Sequence, residues 1–259
     1  MNPWICPEKP LVIAHRGYSL VAPENTILSY RKAIEAGADM LEVDINLTRD
    51  GQLVMIHDHR LERTTNGTGF VYDYLLSELI ELDAGFHFKP RLDAIRIPTT
   101  EETIQLAMDA GIKVCFEIKG GETTRAKIIA EKLISLFHKY KAFEWASISS
   151  YYPDASAVAR KISPDLVITR ERLPDNTPFD LPDAIKQANI LNSPVMLSDF
   201  HTLNKKAIDG LHDSGIAMWS WNPFEPEEIK QVISIGTDGI MGDNPEVARK
   251  LVDSLITND

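Results

Sequence analysis

Short apolar runs alternate with amphipathic stretches along nearly the whole chain, and the order of the two is regular. Leu11 to Ala14 is an apolar run between Pro10 and the polar His15-Arg16-Gly17, the pattern of a first strand running into a loop. Asn25-Thr26 then precedes the helical spacing of Ile27, Tyr30 and Ile34, and Gly37 closes it, so a capped helix is expected there. A second strand falls in Leu41 to Asp58. Further strands are expected at Lys113 to Ile118, Trp145 to Ser149, Leu166 to Thr169, Pro194 to Leu197, Ala217 to Trp221 and Gly239 to Met241, with helical segments between them. Eight strand-helix units in 259 residues fit a single (β/α)8 TIM barrel spanning 1–259. A doubly wound open sheet is the alternative.

The periodicity fails from about residue 60 to 97. Thr64-Thr65-Asn66-Gly67-Thr68-Gly69 has loop composition, Leu75 to Leu82 could form one short helix, and Gly85 to Pro98 has little pattern. This reads as a small insertion after strand 2 that folds over one end of the barrel. The aromatics Phe70, Tyr72, Phe86 and Phe88 favour an ordered segment.

Within the second strand, LEVDINLTRDGQLVMIHD, Leu41, Val43, Ile45 and Leu47 share one face, while Glu42 and Asp44 share the other. A solvated strand face is the ordinary explanation for such a pair. A two-residue hairpin turn at Asp50-Gly51 would instead set Asp44 opposite His57 and Glu42 opposite His59, gathering acids and imidazole into one cluster.

Composition narrows the possible partners. With 27 Lys and Arg against 38 Asp and Glu the net charge is −11, which disfavours nucleic acid and anionic membrane as the main partner. No stretch approaches the length of a membrane helix and the N-terminus lacks a secretory pattern, so no stable membrane anchoring is expected. The two cysteines, Cys6 and Cys115, are far apart and form no metal-binding pair, which suits a cytoplasmic protein. The oligomeric state is left open.

The barrel changes the meaning of the acids. Barrel active sites form at the C-terminal ends of the strands, and that is where His15, Arg16, Glu42, Asp44, Glu117, Lys119, Trp219 and Asn222 fall. Three carboxylates, Glu42, Asp44 and Glu117, cannot all ionise side by side without a cation, and an all-oxygen set suits Mg²⁺ or Ca²⁺. Arg16 and Lys119 are then placed to hold a phosphate, and His15 and His57 to exchange protons near neutral pH. His59 is a weaker candidate. His87, His138, His201 and His212 are expected in surface or capping roles.

These residues, with Pro23-Glu24-Asn25-Thr26, Thr48-x-Asp50-Gly51, Leu61-x-Arg63-Thr64-Thr65-x-Gly67, Ile97-Pro98-Thr99, Trp219-Ser220-Trp221-Asn222, Gly236-x-Asp238-Gly239-Ile240 and Asp243-x-Pro245, resemble the glycerophosphodiester phosphodiesterase family. The resemblance implies a divalent-metal hydrolase acting on small-molecule glycerophosphodiesters. It makes Glu42, Asp44 and Glu117 the metal ligands and His15 and His57 the acid and base. Arg16 and Lys119 become phosphate contacts, and Trp219 a wall beside the glycerol. A lysophospholipase D-like enzyme and a silent phosphodiester-binding module are the rival readings. The first would need an apolar groove, the second a lost reacting group, and no reacting group is missing.

Overall fold

A computed structural model describes residues 2–90, 92–172 and 178–256. The chain begins with β1 (Leu11–His15), α1 (Ile27–Glu35) and β2 (Met40–Leu47), followed by a short β3 (Leu53–Met55) and α2 (Leu76–Leu79). Then α3 (Thr100–Ala110), β4 (Lys113–Ile118), α4 (Thr123–Tyr140), β5 (Ala146–Ser149), α5 (Pro153–Ile162), β6 (Val167–Glu171) and α6 (Leu181–Leu191) alternate. The alternation ends with β7 (Val195–Asp199), α7 (Lys205–Asp213), β8 (Ala217–Trp221), α8 (Pro226–Ser234), β9 (Gly239–Gly242) and α9 (Pro245–Ile256).

The sheet runs β1-β9-β8-β7-β6-β5-β4-β2, and pairing of β1 with β2 closes it into the expected (β/α)8 barrel. Among the strands of the described residues only β3 is antiparallel, attached to the far end of β2. The helix boundaries follow local chemistry. Thr26 accepts a hydrogen bond from the Ser29 amide at 3.2 Å to start α1, and Thr99 and Glu102 form a reciprocal capping box on α3. Gly111 ends α3 in the left-handed conformation at φ 65°.

Every residue of β2 is buried, so its acidic face is turned into the barrel and not toward solvent. Leu41, Val43 and Ile45 pack outward with Val114, Phe116 and Ile118 under α3 and α4. The inner column continues across the closure: His15 is in register with Glu42, and Asp44 with Glu117. Parallel register therefore places the candidate groups as lateral neighbours at one rim.

The hairpin differs from expectation by one residue. Ile45 pairs with Met55 and Leu47 with Leu53, which sets Asp44 against Ile56; the Ile56 amide donates to the Asp44 carbonyl at 3.1 Å. The turn holds three residues, because the Thr48 amide bonds the Gln52 carbonyl at 3.0 Å and Gly51 takes φ 74°. Opposition of Asp44 to His57, and of Glu42 to His59, is thus not observed. The strand also ends at Met55, and the Asn46 side-chain amide curls the chain by donating to the carbonyls of Ile56, His57 and Asp58.

The insertion is ordered around its own apolar cluster of Val54, Ile56, Leu61, Val71, Leu79, Ala84 and Ile97. Its helix covers only Leu76–Leu79, four residues of the Leu75 to Leu82 stretch expected to be helical. At the opposite end of the barrel Trp4 meets Trp219 edge-on at 5.6 Å, and the Cys6 amide donates to Asp238 at 2.8 Å. No helix among the described residues is long and apolar enough to cross a membrane.

Candidate active site

The loop after β1 is folded by its own backbone requirements. Arg16 takes φ 57° and Gly17 φ 84°, and a Cβ at Gly17 would lie 2.5 Å from the Ser29 hydroxyl, so only glycine fits there. The turn directs the Arg16 amide onto Glu42 Oε2 at 3.1 Å and its guanidinium Nε onto Asp44 at 3.2 Å. Asn25, also left-handed at φ 54°, grips Asp44 twice: its side chain donates to Oδ2 at 2.7 Å and accepts from the Asp44 amide at 3.0 Å.

Glu42, Asp44 and Glu117 each bring a carboxylate oxygen to within 4.8 Å of the others, all three residues buried. Burial, Asp44 and Glu117 push the Glu42 carboxyl well above its ordinary range, and burial followed by Glu171 does the same to Glu117. Asp44 moves the other way: burial opposes ionisation, but Lys119 and Arg16 outweigh it. Lys119 sits 3.3 Å from Asp44 and also contacts Glu117. One oxygen of Glu42 and one of Asp44 remain buried without a hydrogen-bond partner. Orphaned oxygens in an acidic cluster with this donor set are what a hard divalent ion would satisfy, so the residues fit such an ion.

The two histidines are held alike. His15 Nδ1 is 2.7 Å from Asp243 and His57 Nδ1 is 2.6 Å from Asp58. In each, the aspartate fixes Nδ1 as the protonated nitrogen and leaves Nε2 as the one able to exchange protons. His15 Nε2 lies 4.0 Å from Glu42 and accepts weakly from the Trp221 indole at 3.3 Å. His57 sits near enough to Asp44 to favour its ionised form. His59 turns away and stacks on Phe70 at 6.2 Å. A chain of ion pairs ties the insertion to the rim: Asp58 with Arg63 at 2.7 Å, Arg63 with Glu24 at 2.7 Å, and Glu24 with Arg16 at 3.0 Å.

A narrow cleft opens beside His15 and Glu117, walled by Tyr151, Glu171, Ser198 and Trp221. Trp219 is not on this wall. It is fully buried against Trp4, with Gly239 giving it room, since a Cβ there would lie 2.5 Å from the indole. Trp219 and Trp221 share a strand face, and only depth along the barrel axis separates the buried ring from the exposed wall. Asp243, Glu24 and Asn25 belong to motifs of the family resemblance, and Asp58 follows His57, but the sequence alone assigns none of them a role. Glu171 had no local signal at all, because it follows Arg170 in a strand whose pattern is unremarkable.

The sequence profile of the glycerophosphoryl diester phosphodiesterase family matches residues 15–247. The chain belongs to this family. It is an enzyme of the phosphoric diester hydrolase class. A glycerophosphodiester phosphodiesterase of Caldanaerobacter subterraneus subsp. tengcongensis is 36% identical over 244 residues, covering 94% of this chain and 98% of that protein. The crystal structure of a glycerophosphodiester phosphodiesterase from Thermotoga maritima superposes with a TM-score of 0.75 at 26% identity, covering 93% of this chain and 98% of the other. A phosphodiesterase of Oleispira antarctica, solved with the product sn-glycerol-3-phosphate, shares the fold with a TM-score of 0.83 at 24% identity, covering 95% and 97%.

Proposed function

We propose that the chain hydrolyses glycerophosphodiesters to glycerol 3-phosphate and an alcohol in a metal-dependent reaction, with His15 and His57 as the acid and base. The observation that carries this reading is the pair of histidines, each held through Nδ1 by an aspartate, beside a buried triad of Glu42, Asp44 and Glu117. A divalent ion held by the triad would supply positive charge to the phosphate and favour the negative charge that builds there.

Arg16 pairs with Asp44 and Glu24, and Lys119 with Asp44 and Glu117; their remaining donors suit a phosphate in the same rim. One histidine Nε2 takes the proton of the glycerol hydroxyl next to the phosphate as its oxygen attacks phosphorus. The other Nε2 gives a proton to the departing alcohol oxygen as the P–O bond breaks. Water then opens the resulting cyclic phosphate with the two roles exchanged. Trp221, not Trp219, borders the glycerol, because it lies on the cavity wall against His15. Two free cysteines accord with a cytoplasmic site of action.

A panel of glycerophosphodiesters assayed with Mg²⁺ and with Ca²⁺, before and after chelation, tests this directly. Turnover that survived complete chelation would remove the metal, and near-normal turnover by His15→Ala or His57→Ala would remove the acid-base assignment. Failure to accumulate a cyclic phosphate at early times in a slow variant would argue for direct attack by water.

A further inference from the structure

Glu171 closes β6 on the cavity wall, and no step of the proposed reaction uses it. It is 2% exposed, and beyond the nearby Ser149 hydroxyl its two carboxylate oxygens meet no hydrogen-bond donor among the described residues. Burial raises its pKa, and the Lys119 charge and the Ser149 hydroxyl offset that only in part. A buried carboxylate with at most one hydroxyl donor is costly, so its place on a cavity wall points to a ligand that completes it.

An ionised carboxylate only accepts hydrogen bonds, so the ligand must bring O–H or N–H groups. The cavity shares His15 and Glu117 with the catalytic rim, and the charge of Glu171 is felt directly by Glu117. A phosphate held at that rim would therefore extend one of its two esters toward Glu171. Lys119 lies close enough to stabilise the Glu171 carboxylate, and Arg172 shares the same wall, so a cationic head group would meet like charge there. A neutral polyol meets no such repulsion.

We propose that Glu171 accepts hydrogen bonds from the hydroxyls of the glycerol half of the substrate and so selects glycerol esters over other phosphodiesters. This deepens the function proposed above and rests on it. Glu171 acts as a binding and specificity residue; it takes no proton and breaks no bond.

The test compares binding of sn-glycerol 3-phosphate with binding of propyl phosphate, which keeps the phosphate and loses both hydroxyls. Calorimetry is run with Mg²⁺ present on the wild type, Glu171→Gln and Glu171→Ala. The wild type should favour sn-glycerol 3-phosphate by about 10- to 100-fold, the usual range for hydrogen bonds to a charged acceptor. Both variants should bring the two ligands to near parity by weakening sn-glycerol 3-phosphate alone. Glu171→Gln should also unfold at or above the wild-type temperature, whereas a structural Glu171 would leave it less stable. The assignment is overturned by a wild type with no preference, by variants that keep it, or by equal loss of both ligands. It is also overturned if Glu171→Gln weakens glycerophosphoethanolamine selectively against glycerophosphoglycerol, which would make Glu171 an ammonium contact. Binding is measured without turnover, so a chain that binds sn-glycerol 3-phosphate selectively but hydrolyses no diester would refute the proposed reaction and leave Glu171 in place.

Discussion

Asp44 faces Ile56 across the β2–β3 hairpin, and His57 comes to the rim because the chain curls after Met55. The curl depends on Asn46, which bonds three successive carbonyls on that side and accepts from the Gly120 amide at 3.1 Å on the other. Asn46 thus joins the histidine loop to the loop carrying Lys119 without touching either reacting group.

Asn46→Ala should therefore cost activity out of proportion to its chemistry. Loss of these buried hydrogen bonds is expected to lower stability by about 1–3 kcal/mol. A kcat reduction on the order of 10-fold or more should remain at temperatures where the variant is fully folded, because misplacing an acid-base group by a fraction of an ångström slows proton transfer. Unaltered kcat in a folded Asn46→Ala would show that His57 is positioned by something else.

Asp243 and Asp58 should behave as positioning residues. Asp243→Asn keeps the shape but can present the wrong hydrogen-bonding group to His15 Nδ1, and a loss of about 10- to 100-fold in kcat is expected. His15→Ala should lose more, about 10²- to 10⁴-fold. Steady-state kinetics should show the effect in kcat with KM little changed; a pure KM effect would place Asp243 in substrate binding.

How much of this was legible in the sequence depends on which distances were local. The barrel and seven of its strand ends, to within two residues, follow from apolar runs of fixed spacing, and the rim from where charged residues interrupt those runs. The hairpin register could not be read, since Asp50-Gly51 suits a two-residue and a three-residue turn equally, and the Thr48 side chain decides between them by bonding the Gln52 amide at 2.9 Å. The family resemblance made Trp219 a wall beside the glycerol, and strand alternation offers no check on that, since it fixes the face of a side chain but not its depth. Glu171 required the tertiary structure, where Lys119 and Glu117 come from a different strand.

Ion binding and pH should be linked with opposite signs for the two kinds of carboxyl. Burial and neighbouring acids raise Glu42 and Glu117, so their contribution to stability is present below the ordinary glutamate pKa and is lost as pH rises through the raised values. Asp44 is depressed by Lys119 and Arg16 despite burial, and its contribution is present above the ordinary aspartate pKa and lost in strong acid. The chelated protein should accordingly lose thermal stability between weakly acidic and neutral pH, and Mg²⁺ or Ca²⁺ should restore it at neutral pH. Glu42→Gln should abolish the ion-dependent rise in Tm while raising the Tm of the chelated protein. A Tm unaffected by either ion at any pH would speak against the triad as a metal site.

Trp219 and Trp221 should separate cleanly by substitution. Gly239→Ala drives a methyl into the Trp219 ring, and overpacking of this kind costs about 1–3 kcal/mol. Trp219→Phe should likewise lower stability and leave KM unchanged. Trp221→Phe should raise KM with little loss of stability, because this ring is partly exposed on the cavity wall. The reverse outcome, a KM effect confined to Trp219, would restore Trp219 as the glycerol wall.

The two thiols give an independent check on the barrel interior. Burial, then the charge of Asp238, pushes Cys6 up to about 11, and burial pushes Cys115 up to about 12. The thiolate is the reactive form, so neither should react appreciably with a disulfide reagent at pH 8 while the protein is folded. Raising the pH toward 10 should expose the difference between them. Cys6 is only half-buried in the N-terminal segment before β1 and should react first, while Cys115 lies inside the barrel beside Met40 and Trp219 and must wait for unfolding. Its labelling rate should therefore follow global unfolding, rising with denaturant along the same curve as the loss of tryptophan signal. Rapid labelling of Cys115 in the native protein would mean that the barrel interior opens locally, and the packing of Trp219 against Trp4 would have to be looser than the structure shows.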